Sequence, residues 1–134
     1  MNIATLLAVG SGGFIGASLR YLINNYISHN YPHTLPYGIL FVNLFGSLLM
    51  GIMFGIFIFT TFFSQDARIY SFITTGMLGA LTTYSTFAME SFILLHSGHY
   101  GLAALNMLLN LFGTILFAAI GYLGIKFIFS YFSF

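Results

Sequence analysis

PYGILFVNLFGSLLMGIMFGIFIFTTFF, running from Pro36 to Phe63, is the stretch on which the fold turns. It carries no formal charge and sits inside a longer run, between Arg20 and Asp66, that has none either. A second uncharged run separates Glu90 from Lys126. A helix needs roughly 20 apolar residues to cross a hydrocarbon core about 30 Å thick, so each run can hold at least one crossing. The whole chain of 134 residues has three Lys/Arg and two Asp/Glu, while 59% of it is hydrophobic. No water-soluble surface can be made from so few charges, and the solvent implied is lipid.

An apolar chain of this length fits about four crossings. The reading is an all-α membrane protein, a single four-helix domain over residues 1–134, with helices at about 3–27, 36–63, 69–95 and 100–129. The first helix ends in the polar loop Ser28-His29-Asn30-Tyr31-Pro32-His33, and Pro36 sits where a first-turn proline is tolerated. Ser64-Gln65-Asp66-Ala67-Arg68 forms the second loop and His96-Ser97-Gly98-His99 the third. Without tryptophan, an interfacial belt falls to tyrosine, and Tyr21, Tyr31, Tyr37, Tyr70, Tyr100 and Tyr131 lie near expected helix ends.

Composition also excludes whole classes of function. With no cysteine there is no disulfide, haem attachment or thiolate metal site. The amino-terminal apolar stretch lacks a basic lead and a small-residue cleavage signal, so it reads as a retained helix. Three Lys/Arg cannot neutralise a phosphate backbone, and nucleic acid is not an expected partner.

Polar side chains within the spans must face partners or a water-filled path. Gly12-x-x-x-Gly16 in helix one and Ser47-x-x-x-Gly51-x-x-x-Gly55 in helix two read as small-residue packing stripes. Asn43 lies one turn into helix two, where it is either an interhelical hydrogen bond or part of a pathway. Asn106, Asn110 and Thr114 recur at a spacing of four and so share one face of helix four. One such residue is packing glue; three in line can form a polar track.

Helix three is the least regular. GMLGALTTYSTF, from Gly76 to Phe87, crowds two glycines, three threonines and a serine together at mid-membrane depth. Both Gly and clustered β-branched Thr weaken a helix. A break here would free backbone carbonyls, hard oxygens suited to a small cation. The alternative is a continuous helix whose hydroxyls bond back to the preceding turn.

Orientation is undecided by charge. Four crossings place Arg68 and Lys126 on one side and Arg20 towards the other, almost no positive-inside bias. Either a weak bias or a partner sets the orientation, or the chain inserts both ways and pairs with an inverted copy.

Three motifs bear on that choice. Gly12-Gly13-x-x-Gly16-Ala17-x-x-Arg20-Tyr21, Gly38-x-x-x-Val42-Asn43-x-x-Gly46-Ser47 and Gly76-x-x-Gly79-x-x-Thr82-Thr83-Tyr84-Ser85-Thr86-Phe87-x-x-Glu90 occur in this order. Together they resemble the Fluc fluoride channels, also called CrcB proteins, over nearly the whole chain. The resemblance implies a passive fluoride-selective channel of the bacterial inner membrane that lets fluoride leave the cell. It implies an antiparallel, dual-topology homodimer (or a pair with an inverted sister chain) with two pores. A structural sodium ion at the dimer centre would be held by the backbone carbonyls of Gly79 and Thr82. By the same resemblance, Asn43 hydrogen-bonds the ion, Tyr84 and Phe87 line the pore with Ser85 and Thr86 beside them, and Arg20 attracts anions at the vestibule. Asn106, Asn110 and Thr114 then correspond to the polar track. The chain departs from the family pattern at Tyr84, a position usually Phe, and in having amides where the track usually has hydroxyls.

A proton-coupled four-helix multidrug exporter is the main rival, with Glu90 as its coupling carboxylate. Its essential acid is expected in helix one, which here has none. An intramembrane protease needs a serine and histidine at membrane depth, whereas His29, His33, His96 and His99 fall in loops or at helix ends. A structural subunit of a larger complex would not require the Asn/Thr track.

Overall fold

A computed structural model describes residues 2–60 and 67–132. Among these residues there are four helices long and apolar enough to cross a membrane, and no strand. They are α1 (Ile3–Asn30), α2 (Tyr37–Phe59), α3 (Ala67–His96) and α4 (Tyr100–Tyr131). Apolar side chains such as Phe14, Ile120 and Phe127 stand exposed along their outer faces. In water that surface would drive aggregation; in hydrocarbon it is the ordinary lipid-facing side. The chain is a multi-pass membrane protein.

The ends differ in detail from the sequence reading. α1 continues to Asn30, three residues beyond the expected end, so Tyr21 lies within the helix instead of near its terminus. α2 starts at Tyr37 with Pro36 at the cap, where the missing N–H costs nothing. It was expected to reach Phe63 but stops at Phe59, with Thr60 extended; residues 61–66, and with them most of the expected second loop, lie outside the described residues. α3 hands over to α4 through a tight reversal. Gly98 has φ 78°, and the amides of Gly98 and His99 bond the carbonyls of Leu95 and Leu94. Glycine reaches that left-handed turn without a Cβ clash, and the two bonds satisfy carbonyls that the helix end leaves open.

Small residues set the helix pairs. A Cβ on Gly16 would collide with the Met77 carbonyl, and one on Gly12 with that of Phe72, so α1 lies backbone to backbone against the first half of α3. Gly51 and Gly121 play the same part between α2 and α4, meeting the carbonyls of Ala118 and Leu48. Without a hydrophobic drive between helices in lipid, such close approach supplies the dispersion contact that holds them. A buried apolar cluster joins α2 and α3: Ile39, Val42 and Phe87, with Ile23 and Met107 packed against them.

α3 changes partner partway. Its first half packs on α1 and its second half on the start of α4. Residues Ser71–Leu78 wind as a wide π-helical turn, and after Leu81 the helix is interrupted. Thr82 (φ −79°, ψ 157°) and Thr83 (φ −152°, ψ 116°) are extended, and a new helix begins at Tyr84. The interruption thus sits at Thr82–Thr83. It bends the axis by only 13°.

The glycine contacts are directly testable. Gly16→Val forces a branched side chain into the Met77 backbone and should destabilise the fold by about 1–3 kcal/mol or more. A loss of the homogeneous gel-filtration peak in detergent is expected. Gly10→Ala, whose methyl meets nothing within 4 Å, should elute like the parent protein.

Candidate functional site

The site is built around the two extended residues of α3. In a continuous helix the Thr83 amide would bond the Gly79 carbonyl; here it donates to Asn43 Oδ1 at 2.8 Å instead. Asn43 Nδ2 in turn donates to the Thr83 carbonyl at 3.2 Å. The carboxamide therefore grips the Thr83 backbone from both sides, as a neighbouring peptide would. A backbone N–H can only donate and a carbonyl can only accept, so this pairing fixes which way the Asn43 amide points.

That direction propagates. The second N–H of Asn43 goes to Asn110 Oδ1 at 2.8 Å. Asn110 Nδ2 then donates to both the side-chain and the backbone oxygen of Asn106, each at 3.0 Å. Asn106 Nδ2 ends the chain on Ser91 Oγ at 3.0 Å. Three helices are joined by a line of amides with a single polarity. All its members are buried, Asn106 completely. Asn110 lies in a second π-helical turn, Leu109–Gly113, and its carbonyl accepts the Thr114 hydroxyl at 2.6 Å. π turns inside α-helices are frequent at functional sites.

The second half of α3 is capped by the break itself. Thr83 Oγ1 accepts from the Thr86 amide and shares hydrogen bonds with the hydroxyls of Thr86 (3.0 Å) and Ser85 (3.3 Å). Threonine at this position supplies an acceptor that the first turn lacks. Tyr84 and Phe87 meet edge to face with ring centroids 5.3 Å apart. Phe87 is buried, but Tyr84 is 79% exposed.

A cavity of about 440 Å³ opens beside the break. Of the residues singled out from the sequence, Asn43, Thr82, Tyr84, Phe87, Asn110 and Thr114 line it. Ser85 and Thr86 do not, being engaged in the cap, and Asn106 lies behind Asn110 in the amide line. Arg20 is half-buried on α1 and reaches the Thr82 carbonyl with Nη1 at 3.4 Å. Gly79 is exposed on the face of α3 just before the break. Glu90 is half-buried and outside the cavity lining; among the described residues its Oε2 has no hydrogen-bond partner.

Two residues were missed by the sequence reading. Ser47, read as part of a packing stripe, lines the cavity one turn after Asn43. The spacing of four from Asn43 was the available signal. Ser91 terminates the amide line, and nothing local in the sequence connects it to Asn106.

Comparison with known proteins gives a consistent result. A family model described as CrcB-like protein, Camphor Resistance (CrcB), matches residues 7–122. A protein of Sulfurimonas denitrificans named fluoride-specific ion channel FluC is 56% identical over 126 residues, covering 94% of this chain and 96% of that protein. One of the same name from Nautilia profundicola is 44% identical, covering 94% and 97% respectively. Another, from Campylobacter jejuni, is 43% identical, covering 91% and 98%.

The amide line predicts energetic coupling between α3 and α4. Ser91→Ala and Asn106→Leu, alone and combined, should show a coupling of about 0.6–1.7 kcal/mol, the range for interhelical side-chain hydrogen bonds in membranes. Unfolding titrations of the four proteins in mixed micelles provide the measurement. Strict additivity would show that the two side chains do not act together.

Proposed function

The chain belongs to the CrcB family, and from that premise we propose that it is a passive, fluoride-selective channel of the bacterial inner membrane, exporting fluoride down its electrochemical gradient. The family is one of ion channels, not enzymes. The observation that carries the reading is the buried amide line beside an interrupted helix, at a depth where lipid offers no hydrogen bond.

Fluoride is small and strongly hydrated, so it leaves water only if donors replace that shell along the route. The cavity is bordered by amides, hydroxyls and the edge-to-face rings of Tyr84 and Phe87. Ring edges carry partial positive charge and can approach an anion. The helix that starts at Tyr84 adds its amino-terminal N–H groups and the positive end of its dipole at the level of the cavity. Arg20 lends a full positive charge nearby. Apolar walls with few donors disfavour larger anions, which gain less from each hydrogen bond.

The exposed side of the break supports an inverted second copy. Tyr84 and Gly79 face outward from the protomer next to an unwound backbone, a surface poorly matched to lipid. An antiparallel dimer would cover it, in keeping with the near balance of Arg20 against Arg68 and Lys126. The residues there also suit a structural sodium ion. Diversion of the Thr83 amide to Asn43 releases the Gly79 carbonyl from its helical donor, and among the described residues the Thr82 carbonyl is held by a long bond from Arg20. Gly79 and Thr82 of two subunits would offer four hard oxygens. Sodium, when bound, would supply positive charge that ties the two breaks together.

Fluoride and chloride efflux from liposomes holding the purified protein tests the reading. Fluoride should leave rapidly, and chloride slower by orders of magnitude. Asn43→Ala and Phe87→Ile should lower fluoride flux strongly, Phe87→Ile with the gel-filtration profile unchanged, whereas Tyr84→Phe should preserve it. Comparable fluoride and chloride rates would overturn the channel assignment.

Topology offers a separate test. A carboxy-terminal tag should be reachable from both sides of the membrane. Two or three lysines added to the segment 64–68 should bias insertion to one side. The biased chain alone should lose flux and regain it with a copy biased the other way. Full flux from a chain shown to insert in one orientation only would rule out the antiparallel dimer.

A further inference from the structure

Most polar groups lining the cavity are already spoken for. Both N–H groups of Asn43 are engaged, on the Thr83 carbonyl and on Asn110 Oδ1, and both of Asn110 are engaged on Asn106. The hydroxyls of Thr82 and Thr114 bond back to carbonyls in their own helices, and that of Thr83 is shared with Ser85 and Thr86. Among the described side chains lining the cavity, the hydroxyls of Ser47 and Tyr84 are the ones left without a hydrogen bond. Tyr84 stands mostly outside the protomer, whereas Ser47 is half-buried on α2.

A helical hydroxyl can bond back to the carbonyl four residues earlier. Those of Ser11, Thr60, Thr74, Thr82 and Thr114 do so, and that of Ser47, like those of Ser18 and Thr75, does not. Nor does it share the packing role of the stripe it belongs to. Gly51 and Gly55 are pressed against α4, at Ala118 and Ile125, while Ser47 borders open space one turn after Asn43 and on the same face.

We propose that Ser47 is a fluoride-binding residue: its hydroxyl is a donor ready in the cavity, and Asn43 joins only when an N–H leaves Asn110 Oδ1. This rests on the channel reading above and names a binding group within it. An entering anion meets a hydroxyl that forfeits no existing bond, and the charge so held then competes with Asn110 for the Asn43 amide. Charged acceptors bind an N–H more strongly than a neutral amide oxygen does, so the exchange runs towards the ion.

Fluoride efflux from liposomes, measured over a range of fluoride concentrations, tests the assignment with wild type, Ser47→Ala and Ser47→Thr. Alanine keeps a small side chain at the cavity wall and removes the donor; threonine keeps the donor. Ser47→Ala should reduce flux at low fluoride by about tenfold to a hundredfold, the loss of one hydrogen bond to a charged group, with elution and thermal unfolding unchanged. Ser47→Thr should retain most of the wild-type rate. Wild-type behaviour in Ser47→Ala, or an equal loss in both variants, would overturn the proposal while leaving the channel standing. Absence of fluoride flux in the wild type would instead remove the channel reading, and this assignment with it.

Discussion

A backbone group that leaves the helical ladder inside hydrocarbon has no water to turn to, and an unpaired one costs several kcal/mol. The interruption at Thr82–Thr83 exists because Asn43 meets the Thr83 amide at 2.8 Å and its carbonyl at 3.2 Å. A side-chain amide from α2 thus stands in for the peptide group that α3 gives up. Everything distinctive about the site follows from this substitution. It orients Asn43, which orients Asn110, which orients Asn106 onto Ser91. It also keeps the two halves of α3 nearly collinear, since the gap is bridged from the side instead of being closed by a turn.

The glycine contacts are the second requirement. An amide is short, and it reaches across only where the helix backbones are close. Gly12 and Gly16 bring α1 onto the first half of α3, and Gly51 with Gly121 brings α4 onto α2. Gly46 admits the Thr82 methyl beside the break, where a Cβ would crowd it. The packing stripes and the polar line are thus one design: small residues set the spacing and amides use it.

An interrupted helix also shows both of its kinds of terminus at the same depth. The first half of α3 ends in carbonyls and the second begins with N–H groups. One membrane protein can in this way present an acceptor-rich patch and a donor-rich patch a few residues apart without burying a full charge pair. That economy suits a chain with five formal charges in all, and it explains how so apolar a protein can deal with an ion.

The sequence by itself determined that the chain lives in lipid, because charge-free runs of that length have no other solvent. It also determined roughly where the crossings lie, that α3 is weakened where Gly and Thr cluster, and that Asn106, Asn110 and Thr114 share a face. Those properties are local or periodic, and a linear string carries them. What tertiary structure decided is which face meets which. Asn43 lies opposite Thr83, and Asn106 opposite Ser91, across separate helices. The exact seat of the break, at Thr82–Thr83, follows from where Asn43 reaches, and the slight bend from its bridging. Ser47 reads in sequence as the first member of a packing stripe with Gly51 and Gly55, yet it fronts a cavity while they press against α4. Helical spacing fixes the direction in which a residue points; only the packed neighbours decide whether it points at a backbone or at empty space.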